Sequence, residues 1–237
     1  MMNLQDEQYI VPWKTRDSFY GLMLVIGSLF LLVISMDLID NLTNINTHLK
    51  PLIKSFSLFI LPILMLLSTW IFGVKKYGVS WIYLGFTAVK SRYHIFFLPC
   101  IALLLSSAFG GFYKSISAIL EIQSLIPPEL PTGIVGDGYY RIINVGFIGV
   151  LGPLAEEIFF RGFILTSLIR PLGRTRAIAV ESAIFSISHM SIGLLIPIFV
   201  SGLILSYLYL KTSSIWPSSI AHVAQNLIAI LLYLKVA

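Results

Sequence analysis

Glu156, Glu157 and Arg161 fall within six consecutive positions of an otherwise apolar run, Val150 to Ile164. A glutamate four residues before an arginine shares its helical face. A guanidinium can grip one carboxylate through two parallel hydrogen bonds. On a helix Glu156 is turned by about 100 degrees from Glu157, so the two carboxylates cannot both take that grip equally. One carboxylate is therefore expected to be held and the other free, and Glu156 is the better candidate for acid–base chemistry. The bland reading is an interior ion pair plus one protonated glutamate that serves packing.

Two histidines add to this set. His189 closes the run Phe185-Ser-Ile-Ser-His189, and His222 stands four residues before Asn226, so those two side chains point the same way. A lone histidine in a membrane helix is more often a satisfied interhelical hydrogen bond than a catalyst. Two histidines, an asparagine and a carboxylate pair on three helices supply more: a base, a second proton-handling group and neutral donors. His48, in a polar loop, and His94, at the edge of an apolar run, read as solvated or interfacial. One Glu with two His is also a catalytic zinc set. The His-Glu-x-x-His pattern is absent, however, and Arg161 would oppose a dication, so no cofactor is expected and zinc is the alternative.

The elements that carry these residues are membrane helices. The chain has 237 residues, 57% apolar, with only 11% charged against roughly 25% in a soluble domain. Its mean hydropathy is +0.89. Too little polar surface exists to cover a soluble core, and disorder is excluded on the same ground. The net charge of +5 suggests nucleic acid as a partner only until the basic residues are placed: they scatter at the ends of apolar runs and form no basic, aromatic-rich face. The single cysteine, Cys100, allows no intramolecular disulfide and reads as a packing residue.

Apolar runs predict an all-α polytopic transmembrane bundle, residues 1–237 as one membrane domain, with about seven spans near 18–36, 55–74, 93–112, 139–168, 176–190, 195–210 and 216–235. An interfacial segment is expected over 77–92. The connection over 113–138 is broken by Pro127, Pro128, Pro131, Gly133, Gly136 and Gly138. The runs after Arg176 and after Pro197 are short, which predicts a turn over 190–196 within the membrane. With the N-terminus inside, ten Lys and Arg fall in inner segments and five in outer ones. That bias predicts a multi-pass cell-membrane protein with a cytoplasmic N-terminus. Glu181 shares a face with Phe185 and His189. It is expected either to pair with an arginine near the inner surface or to line a substrate entry.

The motifs Glu156-Glu157-x-x-x-Arg161, Phe185-x-x-x-His189 and His222-x-x-x-Asn226, in this order, resemble those of the CAAX protease and bacteriocin-processing family of intramembrane glutamate proteases. The resemblance covers about 139–235, which would be the catalytic core. It implies hydrolysis of peptide bonds within the bilayer, in membrane-associated peptides or proteins, lipidated or not, among membrane lipids and with no role for nucleic acid. Glu156 and His189 would activate a water, and His222 and Asn226 would donate to the oxyanion. Glu157 and Arg161 would orient the site, and Phe185 would pack near it. Two other readings compete. One is a non-catalytic scaffold or immunity-type protein that binds another membrane protein. The other is a proton-coupled transporter, which the lack of an internal repeat disfavours.

Overall fold

Backbone N–H and C=O groups within lipid find no water, so a chain this apolar is left with elements that satisfy their own hydrogen bonds. A computed structural model describes residues 11–42, 49–89, 91–128 and 135–236, and every regular element among them is helical. The long helices are α1 (Thr15–Leu42), α2 (Leu49–Thr69, continued by a wider π-helical stretch, Trp70–Lys75) and α3 (Tyr93–Ile119). They are followed by α4 (Gly138–Leu172), α5 (Arg174–Ile187), α6 (Ile192–Thr212) and α7 (Ile215–Val236). His48, Lys90, Pro131 and Gly133 lie outside the described residues.

Six of these helices are long and apolar enough to cross a membrane. The exception is α5, whose 14 residues rise only about 21 Å against a hydrocarbon core of roughly 30 Å. The expectation of a short sixth run needs correction. Pro197 lies inside α6, which has 21 residues. Pro197 forfeits the bond to the Gly193 carbonyl and crowds it, yet the helix continues through it. The break between α5 and α6 therefore shrinks to 188–191 rather than spanning 190–196. Cys100 is exposed on apolar α3 rather than packed inside the bundle.

The middle of α4 is the centre of the bundle. Its stretch Glu157–Leu165 is π-helical, with eight of its nine residues buried. It touches α1, α2, α5, α6 and α7. Phe159, Phe160 and Phe163 form the core there with Trp13, Leu84, Phe185, Tyr209 and Ile215. A second π-helical stretch, Phe147–Leu151, comes just before Pro153. A proline cannot donate to the preceding turn, and wider local bonding is one way a membrane helix re-satisfies its carbonyls.

Polar ties hold the ends of this arrangement. Trp13 Nε1 and Ser18 Oγ both donate to the Phe163 carbonyl, at 3.1 and 3.3 Å, and Thr15 donates to the Ser167 carbonyl at 3.0 Å. Asp17, in the first turn of α1, accepts from Lys76 Nζ at 2.5 Å, from the Tyr77 hydroxyl at 2.6 Å and from the Lys14 amide at 2.8 Å. The bond to Asp17 holds the Tyr77 phenol above its ordinary pKa. The expected interfacial segment contains a 3-10 turn, Trp81–Leu84, with Trp81, Ile82 and Tyr83 exposed and Leu84 buried. Leu84 rests on Gly162, where a Cβ would lie 2.9 Å from the Leu84 carbonyl oxygen.

The next residues clamp the turn between α6 and α7. Ile215 N–H donates to the Gly85 carbonyl at 2.8 Å, Thr87 Oγ1 to the Ser213 carbonyl at 2.5 Å, and Ser214 Oγ to the Thr87 carbonyl at 2.9 Å. Gly85 adopts φ +90, and a Cβ there would meet the Tyr209 ring at 2.6 Å. The Gly85→Ala variant is expected to lose roughly 2 kcal/mol of stability from backbone strain, with the ring clash in addition. A lowered unfolding midpoint in detergent would show it; an unchanged midpoint would contradict the role given to this clamp.

Candidate active site

Three helices, α4, α5 and α7, bring the sequence-selected residues together. Glu156 ends the α-helical stretch Gly152–Glu156 of α4, and Glu157 opens the π-helical one. The Glu157 and Arg161 side chains are fully buried, while Glu156 keeps 21% of its side chain exposed. Arg161 Nη1 lies 3.0 Å from Glu157 Oε1. The same oxygen is 2.9 Å from His222 Nδ1 on α7. His222 Nε2 faces Glu156 Oε2 at 3.6 Å. Glu157 is thus the gripped carboxylate, and the imidazole bridges it to Glu156.

Helix α5 supplies a column of three residues at four-residue spacing. Glu181 is fully buried, Phe185 is buried, and His189 lies just past the helix end. The Phe185 ring stands edge-on to the His189 ring at 4.9 Å and to the His222 ring at 5.8 Å. On its face the Arg161 guanidinium carbon lies 4.1 Å from the ring centre. One aromatic ring therefore spaces both imidazoles and the guanidinium, and desolvation strengthens its cation–π contact. His189 Nδ1 is 2.9 Å from the Phe185 carbonyl. A carbonyl only accepts, so Nδ1 donates to it and Nε2 is the ring nitrogen not committed to that bond. Met190, the next residue, takes a left-handed backbone at φ +51, which ends α5 beside the site.

Glu156 and His189 line a cavity of about 700 Å³. Its walls are apolar, drawn from Leu22, Val25 and Leu29 of α1 and from Leu61 and Met65 of α2, with Phe159 and Phe160 of α4 as well. His222 and Asn226 are not among its lining residues. His222 lies behind Glu156, and Asn226 Nδ2 donates to the Ile148 carbonyl at 3.1 Å. Of the four residues that the resemblance assigns to the reaction, Glu156 and His189 thus reach the cavity, and His222 contacts Glu156 from outside it. His94 stands beside the Tyr93 ring, 5.9 Å away, far along the chain from the three motifs.

Sequence reasoning missed two features. The first is the cavity wall from α1 and α2, whose leucines, valines and methionine look like any lipid-facing set. The second is the partner of Glu181. It pairs not with an arginine near the inner surface but with Arg161, whose Nε is 3.6 Å from Glu181 Oε1. Ser206 Oγ of α6 makes a short hydrogen bond to Glu181 Oε2, and Ser182 Oγ is 3.5 Å from the same oxygen. The shared face of Glu181, Phe185 and His189 was visible in the spacing, but the depth of Arg161 relative to α5 was not. Among the described residues, no three His, Cys, Asp or Glu side chains are grouped so as to hold a metal ion.

Residues 139–228 match a family model described as Type II CAAX prenyl endopeptidase Rce1-like. The chain is 27% identical over 158 residues to "Membrane-embedded CAAX protease MroQ" of Staphylococcus aureus (strain USA300), covering 64% of this chain and 57% of that protein. It is 30% identical over 86 residues to "Putative membrane peptidase YdiL" of Bacillus subtilis (strain 168), covering 36% of this chain and 35% of that protein. The matches span little more than half the length of the first relative and about a third of the second. No solved structure matches the chain.

Removing the central cation should destabilise the protein sharply. Arg161→Leu leaves two buried carboxylates without their counter-charge, a loss of about 3–5 kcal/mol. Arg161→Lys keeps the charge and should lose less. Equal midpoints for wild type and Arg161→Leu in thermal unfolding would contradict the burial and pairing described.

Proposed function

We propose that the chain is a member of the CAAX protease and bacteriocin-processing family, a reading supported by its matches to the Rce1-like family model and to the membrane-embedded CAAX protease, and that it is an intramembrane endopeptidase that hydrolyses peptide bonds with a water activated by Glu156 and His189. The observation that carries this reading is the placement of one partly exposed carboxylate and one imidazole at the wall of an apolar cavity, with buried charges fixed behind them.

In this mechanism Glu156 takes a proton from water as general base. His189, whose Nδ1–H is committed to the Phe185 carbonyl, offers Nε2 to the same water as an acceptor and orients it. Attack on the scissile carbonyl forms a tetrahedral oxyanion, and His222 donates to it. Nδ1 of His222 is committed to Glu157 Oε1, so the donor to the oxyanion is Nε2–H. Asn226 supports the oxyanion side by holding α7 against α4 through Ile148. Collapse of the intermediate returns the proton from Glu156 to the leaving amine. Preorganised donors of this kind contribute roughly 3–4 kcal/mol in other hydrolases.

Substrates are membrane-associated peptides or proteins, since the cavity walls are apolar and enclosed by membrane-spanning helices. We place the protein in the cell membrane with a cytoplasmic N-terminus, on the ten-to-five division of basic residues. The reaction is proposed to need no metal. Among the described residues, no three His, Cys, Asp or Glu side chains are grouped so as to hold one.

Glu156→Ala and His189→Ala should each abolish cleavage of a membrane-proximal peptide by the purified protein in liposomes, while the fold persists. Full activity in either variant would end this reading. Dialysis against a zinc chelator should leave the wild-type rate unchanged; loss on chelation with recovery on added zinc would instead establish the metal alternative.

A further inference from the structure

Glu181 belongs to none of the three motifs, yet it is among the most enclosed ionisable groups in the chain. Its side chain is fully buried, and its charge has three neighbours: Arg161 on α4, Ser182 beside it and Ser206 on α6. The approach of α6 is close, because Gly202 lies against Ser182, where a Cβ would meet the serine Cβ at 3.0 Å. That contact brings Ser206, one turn further along α6, to the carboxylate. The Glu181 side chain is not part of the cavity wall, so it cannot touch a substrate there.

Its effect must pass through Arg161. A guanidinium offers five donors in a planar fork and forms its strongest pair with a carboxylate by engaging both oxygens. Arg161 does not do this to Glu157. It approaches Oε1 alone, and that oxygen is shared with His222 Nδ1. On the opposite edge its Nε faces Glu181 Oε1, and beneath it lies the Phe185 ring. Without the pull of Glu181, the guanidinium is free to rotate onto both Glu157 oxygens. The imidazole would then compete with a two-pronged cation for its only anchor.

We infer that Glu181, held by Ser206, is a positioning residue that draws Arg161 away from a two-pronged grip on Glu157 and so keeps Glu157 available to orient His222. This rests on the endopeptidase reading above. It extends that reading to a buried relay across four helices: Ser206 on α6, Glu181 on α5, Arg161 and Glu157 on α4, and His222 on α7.

The test uses the full chain in liposomes with a cleavable membrane peptide. Glu181→Ala should lower kcat by about 100-fold, the size of effect that a misplaced catalytic group produces, with KM within about twofold because the cavity wall is unchanged. Glu181→Gln keeps the volume and the acceptor for Ser206 and should recover part of the rate. In a double-mutant cycle, Glu181→Ala on an Arg161→Lys background should add little to the loss, since both changes act through one guanidinium. A wild-type kcat in Glu181→Ala, or fold-losses that multiply in the double variant, would overturn the inference. Should Glu181→Ala fail to fold, the Arg161 Nε–H signal in nitrogen-15 spectra of the Glu181→Gln variant carries the test. A signal shifted and faster to exchange than in wild type supports the inference, and an unchanged one refutes it. Absence of cleavage by the wild-type protein, by contrast, would remove the endopeptidase reading while leaving the spectroscopic result on Arg161 standing.

Discussion

A single guanidinium enclosed among membrane helices sets the terms for everything around it. Arg161 is fully buried, and an isolated cation at a helix centre costs roughly 2.5–3.5 kcal/mol on insertion scales. The chain offsets this with two carboxylates, Glu157 on the same helix and Glu181 on the next, and with the face of Phe185. Those partners occupy separate sides of the guanidinium, so satisfying its charge also fixes the relative placement of α4 and α5. His222 then joins through Glu157 and brings in α7. The same electrostatic demand thus assembles the bundle and arranges the groups proposed to do the chemistry.

Packing gives this arrangement its rigidity. The π-helical stretch Glu157–Leu165 carries the charged pair and three buried phenylalanines. Wider turns of this kind recur at functional sites, and here the stretch projects Glu157 inward while Glu156 reaches the cavity. The N-terminal ties from Trp13, Thr15 and Ser18 end on carbonyls of this helix, and Leu84 presses on Gly162 from the other side. The cavity itself is bounded by α1 and α2, which carry none of the motifs. Chemistry and enclosure are thereby divided between the two halves of the chain: α4 to α7 supply polar groups, and α1 and α2 supply apolar wall.

Much of this was legible from residue types and spacing. Apolar runs interrupted by charge located the seven long helices among the described residues, because lipid burial leaves a strong compositional trace. The four-residue interval from Glu157 to Arg161 pointed to their pairing, and the offset of Glu156 pointed to a carboxylate of different environment. Other features left no such trace. Pro197 suggested a helix start but lies within α6, which begins at Ile192. Glu181 was visible as a charge on the right face, but its partner depended on how far α5 is displaced along α4, which no local pattern records. The cavity depends on which side of α1 faces α4, and a helix apolar all round gives no periodicity to read.

In the proposed mechanism Glu156 acts on water rather than attacking the peptide itself. Single-turnover cleavage in oxygen-18 water, with enzyme in excess over peptide and mass spectrometry of both, tests this most directly. One heavy oxygen in the new carboxylate of the product, with none in Glu156, is the predicted result. A first-turnover product without heavy oxygen, or label in the Glu156 side chain, would mean a covalent acyl-enzyme and would contradict the mechanism.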